Sequence, residues 1–115
     1  MTPRQIEAFL SKLPGAKRTV QWKGVVVFKL GGTMFATLSP NGKGRPHELW
    51  FKASPEHYET LKRAKGFRPE RAGRQWVALE DRQALTDHQL KAYLRRAHAV
   101  VAATFSKKKQ AELGL

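Results

Sequence analysis

The chain has 115 residues, of which 22 are Lys or Arg and 9 are Asp or Glu, giving a formal net charge of +13. This length suits one compact domain, and the absence of cysteine excludes disulfides, thiol catalysis and thiolate metal sites. No apolar run approaches the roughly 18–20 residues of a membrane span. We therefore expect a cytoplasmic protein that makes no membrane contact. The oligomeric state stays open, with a monomer as the default.

The first predicted element is a helix that begins after Thr2. Thr2 and Gln5 have the spacing of a capping box, and Pro14-Gly15 marks the end of the helix. A short strand is predicted over residues 19–22. Lys23-Gly24 then forms a tight turn into the next strand.

The middle of the chain is predicted to be an antiparallel meander. Two runs of β-branched and aromatic residues, 25–30 and 33–38, are separated only by Gly31-Gly32. Glycine takes the positive φ values of a type I′ turn at no steric cost. A further strand is expected over residues 48–52.

Alternation along these strands predicts which face meets the helices. Val26, Phe28 and Leu30 form an apolar set that should pack against helices, as do Leu49 and Phe51. The strand over 33–38 allows two readings, because its even and odd positions both contain large apolar residues.

Residues 40–46 predict a loop, since they are rich in glycine and proline and carry Lys43 and Arg45. Such a loop either reaches a phosphate groove or is an ordinary hairpin end.

The second half begins with a helix capped by Ser54 and ending near Gly66. Extended segments are predicted over 67–69 and 74–79, around a turn at Ala72-Gly73.

A capping box at Thr86 and Gln89 begins a long helix of about five turns. Ser106 marks a break or a short terminal helix. Because the lysines at 107–109 oppose the dipole of a new helix start, we expect this end to fray or to continue the long helix.

The sequence contains no recognisable catalytic constellation. It lacks a glycine-rich phosphate loop and a nucleophile elbow. Its four histidines share no metal-ligand spacing, and no carboxylates are obviously paired for acid–base work. We therefore expect no enzymatic activity, no metal and no cofactor.

Several short motifs in order resemble the MmcQ/YjbR family of small bacterial proteins. They are Leu13-Pro14-Gly15, Trp22, Val27 to Gly32, Met34-Phe35-Ala36, Lys52, Pro55-Glu56, Pro69, Trp76-Val77 and Leu85-Thr86-Asp87. The resemblance implies one α+β domain over residues 1–115, with a twisted antiparallel sheet and helices packed on one face. That family is usually described as DNA-binding, because its fold is like a double-wing DNA-binding domain; it also resembles the frataxin-like fold. It offers no catalytic residues. Many relatives are expected to have a Ser-Tyr pair where this chain has Ala97-His98.

The strong positive charge favours a polyanionic partner. Cations interleaved with indoles on a sheet face suit nucleic acid, and DNA is favoured over RNA, with low sequence specificity. The candidate interface residues are Lys23, Lys29, Arg45, Trp50, Lys52, Arg74 and Trp76.

Two alternatives to this hypothesis stay open. The tryptophans are also interpretable as packing residues, the more common role of a single tryptophan, and the sheet face also suits a protein-interaction module or a site for a small anionic ligand. A frataxin-like iron role is disfavoured, because it needs carboxylates along one face and residues 1–46 contain only Glu7.

Overall fold

Six strands and four α-helices lie within residues 1–40, 48–70 and 74–115, which the computed structural model describes, apart from the side chain of Trp22. The predicted loop with Lys43 and Arg45, and the turn at Ala72-Gly73, fall outside these ranges. In chain order the elements are α1 (Pro3–Ser11), β1 (Lys17–Val20), β2 (Val26–Leu30), β3 (Thr33–Leu38), β4 (Leu49–Lys52), α2 (Pro55–Leu61), β5 (Phe67–Glu70), β6 (Trp76–Leu79), α3 (Asp87–Ala102) and α4 (Lys107–Glu112).

The strands form one sheet in the order β1-β2-β3-β4-β6-β5, and every neighbouring pair is antiparallel. The first four strands are the expected meander. Helix α2 then carries the chain to the far edge, where β5 pairs with β6, and β6 completes the sheet beside β4. The α+β class is confirmed.

The core lies between one face of the sheet and the helices. Helices α1, α2 and α3 contribute buried side chains that include Leu10, Leu61 and Leu94. The sheet contributes the alternating apolar sets of β2, β4 and β6, so the predicted inward faces of β2 and β4 are confirmed. The sheet side of the core consists of Val26, Phe28, Leu30, Phe35, Ala36, Leu38, Leu49, Phe51, Val77 and Leu79.

A β-bulge explains why the alternation of β3 is ambiguous in the sequence. Phe28 pairs with Ala36, whereas Lys29 pairs with Met34, which leaves Phe35 as the extra residue. Both Phe35 and Ala36 are fully buried in the core. Neither simple alternation is therefore correct, because the bulge sends two consecutive side chains toward the helices.

The first strand lies two residues earlier than residues 19–22, so that prediction is wrong in position. The Gln21 amide donates to the Val25 carbonyl at 2.8 Å, and the Gly24 amide donates to the Gln21 carbonyl at 3.2 Å. These bonds close a tight 3₁₀ turn over Trp22–Gly24, in which Lys23 has a φ of 58°. The strand must therefore end before this turn begins.

The predicted helix starts are confirmed. Complete capping boxes begin α1, at Thr2 and Gln5, and α3, at Thr86 and Gln89. At the start of α2 the Ser54 hydroxyl accepts a hydrogen bond from the His57 amide.

The C-terminal lysines belong to a separate short helix, which corrects the expectation of a frayed or continuous end. Ser106 caps this helix by accepting from the Lys109 amide. The Gln110 side chain donates to the carbonyls of Ala102 and Phe105, at 3.1 and 3.0 Å. These bonds offset the unfavourable lysine charges at the helix start and hold α4 at an angle to α3.

The two glycines of the β2–β3 turn predict different costs of substitution. A Cβ on Gly31 would lie 2.9 Å from the Phe105 ring and 3.1 Å from Leu113, whereas a Cβ on Gly32 would meet nothing within 4 Å. Both residues have positive φ, so Gly32→Ala should cost about 1 kcal/mol from backbone strain alone. Gly31→Ala should cost about 1–3 kcal/mol more, because it overpacks the α4 contact. Urea unfolding of both variants measures the difference, and equal losses would contradict this account.

Candidate nucleic-acid interface

The sheet face opposite the helices, called here the open face, is built from rows of cross-strand neighbours. Val27, Thr37 and Ala78 at its centre are buried, so its accessible side chains lie toward its ends and edges. Its central row crosses all six strands with one side chain from each. Register and alternation place these side chains on the same face, about 5 Å apart from strand to strand. The central row consists of Thr19, Val27, Thr37, Trp50, Ala78 and Arg68.

A second row, displaced by two residues along each strand, carries most of the positive charge. Lys17 pairs with Lys29, which pairs with Met34 on β3. On the other half of the sheet Lys52 pairs with Trp76, which pairs with Glu70. This basic row therefore holds three lysines over four neighbouring strands.

Carboxylates dominate the opposite end of the open face. Glu48 precedes β4 and Glu80 follows β6, and the pairing of Leu49 with Leu79 sets them side by side. The guanidinium of Arg68 on β5 reaches both groups, with Nη1 at 3.0 Å from Glu48 Oε2 and at 3.0 Å from Glu80 Oε1. Its Nε lies 3.7 Å from Glu70.

Arg68 is thus shared by three carboxylates. Arg68 with Glu48, Glu70 and Glu80 is called here the acidic cluster, because its formal charge is negative. The hydrogen bond to Glu48, with those to Glu80 and the charge of Glu70, raises the pKa of the Arg68 guanidinium above its usual value. Glu48 also accepts a hydrogen bond from the Trp50 indole. The cluster therefore fixes the Trp50 ring, which belongs to the central row.

The structure brings together only part of the predicted interface. Lys29 and Lys52 share the basic row, and both are half-buried. Arg74 is exposed and precedes β6 at the same end of the sheet. Lys23 lies in the 3₁₀ turn at the opposite end of the sheet, and Arg45 lies outside the described residues.

The two tryptophans of the predicted interface differ in accessibility. Trp50 is half-buried on the open face. Trp76 lies on the basic row but is only 3% exposed. Burial of that indole favours the packing alternative for Trp76, since a base has no free ring face to stack on. The aromatic part of the candidate interface therefore depends on Trp50.

Sequence reasoning missed Lys17 and the acidic cluster. Lys17 is missed because the predicted first strand begins two residues too late. All four residues of β1 are exposed, so no polar–apolar alternation in the sequence marks the face on which Lys17 lies. The members of the cluster lie up to 32 positions apart, from Glu48 to Glu80. Their meeting depends on β6 pairing between β4 and β5, which no local pattern specifies.

Four cations define one end of the open face: Lys17, Lys29, Lys52 and Arg74, called here the basic end. Among the described residues none of the four has a carboxylate within ion-pair distance. By contrast, Arg18 at the β1 edge pairs with Glu7 at 2.8 Å. The basic end therefore presents positive charge that the described part of the chain does not neutralise.

The helix-covered antiparallel sheet and its open face can now be compared with known proteins. The family model described as YjbR matches residues 11–100, so the chain belongs to the YjbR family. The resemblance inferred from the sequence motifs is thereby confirmed.

Solved structures show the same fold. The chain is similar to a crystal structure from Deinococcus radiodurans with the family-model domain DUF419, at a TM-score of 0.85 and 25% identity, covering 99% of this chain and 88% of that chain. It is also similar to a crystal structure of a Pseudomonas syringae protein, at a TM-score of 0.69 and 18% identity, covering 84% of this chain and 96% of that one. The comparison with curated proteins gives no match.

Two further observations concern the ranges that the structure describes. No helix there is long and apolar enough to cross a membrane. No three histidine, aspartate or glutamate side chains stand together there in a group that could hold a metal ion.

His98, which stands where relatives are expected to have Tyr, has a structural role here. It is 8% exposed, and its Nε2 donates to the Pro14 carbonyl at 2.6 Å. Its ring meets Phe35 edge to face, with centroids 5.5 Å apart. These contacts tie α3 to the bulge of β3 and to the turn after α1.

Removing the shared guanidinium should destabilise the fold in a pH-dependent way. Arg68→Met leaves three carboxylates with no cation between them, and we expect a loss of about 1–2 kcal/mol at pH 7 for this partly exposed group. Carboxylates repel one another only while they are ionised, so the variant's deficit should shrink as the pH falls toward 4.

Arg18→Met provides the matched control, because Arg18 also lies on an edge strand but pairs with one carboxylate. Its loss should stay below about 1 kcal/mol. Urea unfolding at pH 7 and pH 4 measures both variants. A deficit for Arg68→Met that does not change with pH would contradict the shared-carboxylate interpretation.

Proposed function

We propose that this protein binds DNA through the basic end of its open face, with low sequence specificity. The observation that supports the proposal is the group of four cations at one end of the sheet, none with an ion-pair partner among the described residues. Family membership and fold are compatible with DNA binding but are not evidence for it.

The spacing of the basic end suits a phosphate backbone. Lys17 and Lys29 lie on neighbouring strands about 5 Å apart, and Lys52 lies two strands from Lys29, about 10 Å away. Long lysine stems can lie along the sheet while their ammonium groups extend toward solvent. Duplex DNA carries one charge per about 1.7 Å of helix axis, so a patch of this width faces several phosphates.

The acidic cluster restricts where the polyanion lies. Glu48 and Glu80 lie at the end opposite the basic end, whereas Glu70 lies on the basic row at the β5 edge; together they outnumber the single positive charge of Arg68. Like charge repels phosphate, so the proposed contact covers the basic end and ends near the central row. The face thereby gives the complex an orientation without reading bases.

Low specificity follows from the chemistry of the contacts. Lysine bonds to phosphate position a protein on DNA but carry no direct sequence information. Trp50, in the central row, is the half-buried aromatic group available to stack on an unpaired base or a sugar. A cytoplasmic location is part of this proposal.

The proposal predicts a steep salt dependence. If the basic end neutralises three to four phosphates, log affinity for duplex DNA should fall with log salt at a slope of about −2.7 to −3.6. Affinity should then fall by about 40- to 150-fold between roughly 50 and 200 mM salt. Fluorescence anisotropy with a short labelled duplex measures this slope.

Charge reversal at the basic end distinguishes DNA binding at a defined site from attraction by the overall positive charge of the protein. Lys29→Glu with Lys52→Glu should weaken binding by about tenfold or more at low salt and reduce the slope by about 2. Lys107→Glu with Lys108→Glu is the matched control, because it changes the net charge equally at exposed positions of α4. Carboxylates at that helix start favour the dipole, so the control should fold well.

Lys91 and Arg95 are less suitable as controls, although they are also helix cations. Lys91 Nζ and the Arg95 guanidinium lie 5.8 and 5.3 Å from the Phe9 ring centroid, so replacing them also removes packing.

Equal losses of affinity in the Lys29/Lys52 and Lys107/Lys108 variants would show that the attraction to DNA is diffuse. No binding at low salt would reject DNA as the partner and favour the protein-interaction alternative.

A further inference from the structure

A second candidate site lies on the helix side of the molecule, away from the open face. The first turns of α2 and α3 border a cleft of about 300 Å³. It is lined by His57, His88, Gln89, Ala92, Tyr93 and Arg96. These residues supply two imidazoles, a phenol, an amide and a guanidinium, and the proposed DNA contact uses none of them.

Helix α3 supplies the floor and both ends of the cleft. His88, Ala92 and Arg96 follow one another at four-residue spacing, so they share one side of the helix. His88 and Arg96 are then about 12 Å apart along the helix axis. Ala92 between them has almost no side chain, which leaves room above the helix for a molecule of metabolite size.

Aromatic rings form the wall of the cleft. The His57 ring of α2 meets the Tyr93 ring of α3 edge to face, with centroids 5.2 Å apart. Tyr93 is held in turn against Phe51 of the core, with centroids 6.1 Å apart. A planar group in the cleft would therefore meet a preformed wall that is anchored to the sheet.

The polar groups of the cleft favour an anion. Arg96 has no ion pair among the described residues, and no described residue lining the cleft is a carboxylate. The guanidinium matches an oxyanion with two parallel hydrogen bonds. It also disfavours a metal cation between the two histidines.

His57 adds an unmet hydrogen-bonding requirement. Its Nδ1 is buried and has no hydrogen-bond partner in the described part of the chain, whereas buried polar atoms are usually paired. That nitrogen lacks a partner whether it acts as a donor or as an acceptor. The cleft therefore combines the Arg96 guanidinium with an imidazole whose hydrogen bonding is incomplete, and no carboxylate lines it among the described residues.

We propose that this cleft binds a small organic anion, in which a phosphate or carboxylate group meets Arg96 and a planar ring lies against His57 and Tyr93. The site is independent of the DNA contact, since it lies on the opposite side of the sheet. Its ligand is a metabolite-sized molecule and not a polymer, because the volume of the cleft is about 300 Å³.

Titrations followed by NMR test this proposal with phenyl phosphate and benzoate as the probes. Inorganic phosphate and phenol test the anion and the ring separately. The two aromatic anions should give saturable shifts of the Ala92 methyl and of the His57 and Tyr93 rings, and at least one should bind about tenfold more tightly than either separate part. The stronger of the two identifies the preferred oxyanion.

Variants localise the binding. Arg96→Gln should weaken it by about ten- to a hundredfold, as for loss of a charged hydrogen bond, and Ala92→Leu should abolish it by filling the cleft while keeping helix propensity. Arg4→Gln, at an exposed position of α1, changes the net charge equally and should leave binding unchanged. The proposal is overturned by an absence of saturable shifts, by equal weakening in Arg4→Gln and Arg96→Gln, or by phenol binding as tightly as the anions.

Discussion

The β-bulge in β3 is the constraint on which both faces of the sheet depend. Because Phe35 and Ala36 both turn toward the helices, Met34 is left beside Lys29 on the open face. Phe35 then packs on His98 of α3, which also bonds the Pro14 carbonyl. A register shift of one residue would turn Phe35 to solvent and bury Met34, and it would reverse the faces of every neighbouring pair.

With the register fixed, the order of the strands decides the electrostatics of the open face. Lys17, Lys29 and Lys52 arrive at one end because alternate antiparallel strands run in opposite directions. The same order brings Glu48 and Glu80 to Arg68 at the other end, which is acidic, while Glu70 reaches Arg68 from the basic row. A composition of +13 therefore does not mean an evenly basic surface; it is compatible with a face whose two ends attract opposite charges.

Local signals in the sequence predict most of the fold. The capping residues Thr2, Ser54 and Thr86 mark helix starts correctly, because a cap depends only on residues within one turn. Gly31-Gly32 marks the β2–β3 turn for the same reason. The bulge and the position of β1 are not predicted, and the separate helix α4 is only one of two alternatives at Ser106, since each depends on contacts between distant segments.

In the candidate site, too, local patterns predict some features, and contacts between distant segments determine the others. Alternation within β2 and β4 correctly places Lys29, Trp50 and Lys52 on one face. It does not predict that Trp76 is buried there, or that Arg68 gathers carboxylates from three segments, because both depend on which strands become neighbours.

The most direct test of the account is an amide NMR titration with a short DNA duplex. It should shift resonances on β1, β2 and β4 at the basic end and leave those around Glu48 and Glu80 unchanged; shifts centred on the acidic cluster or on the helices would contradict it.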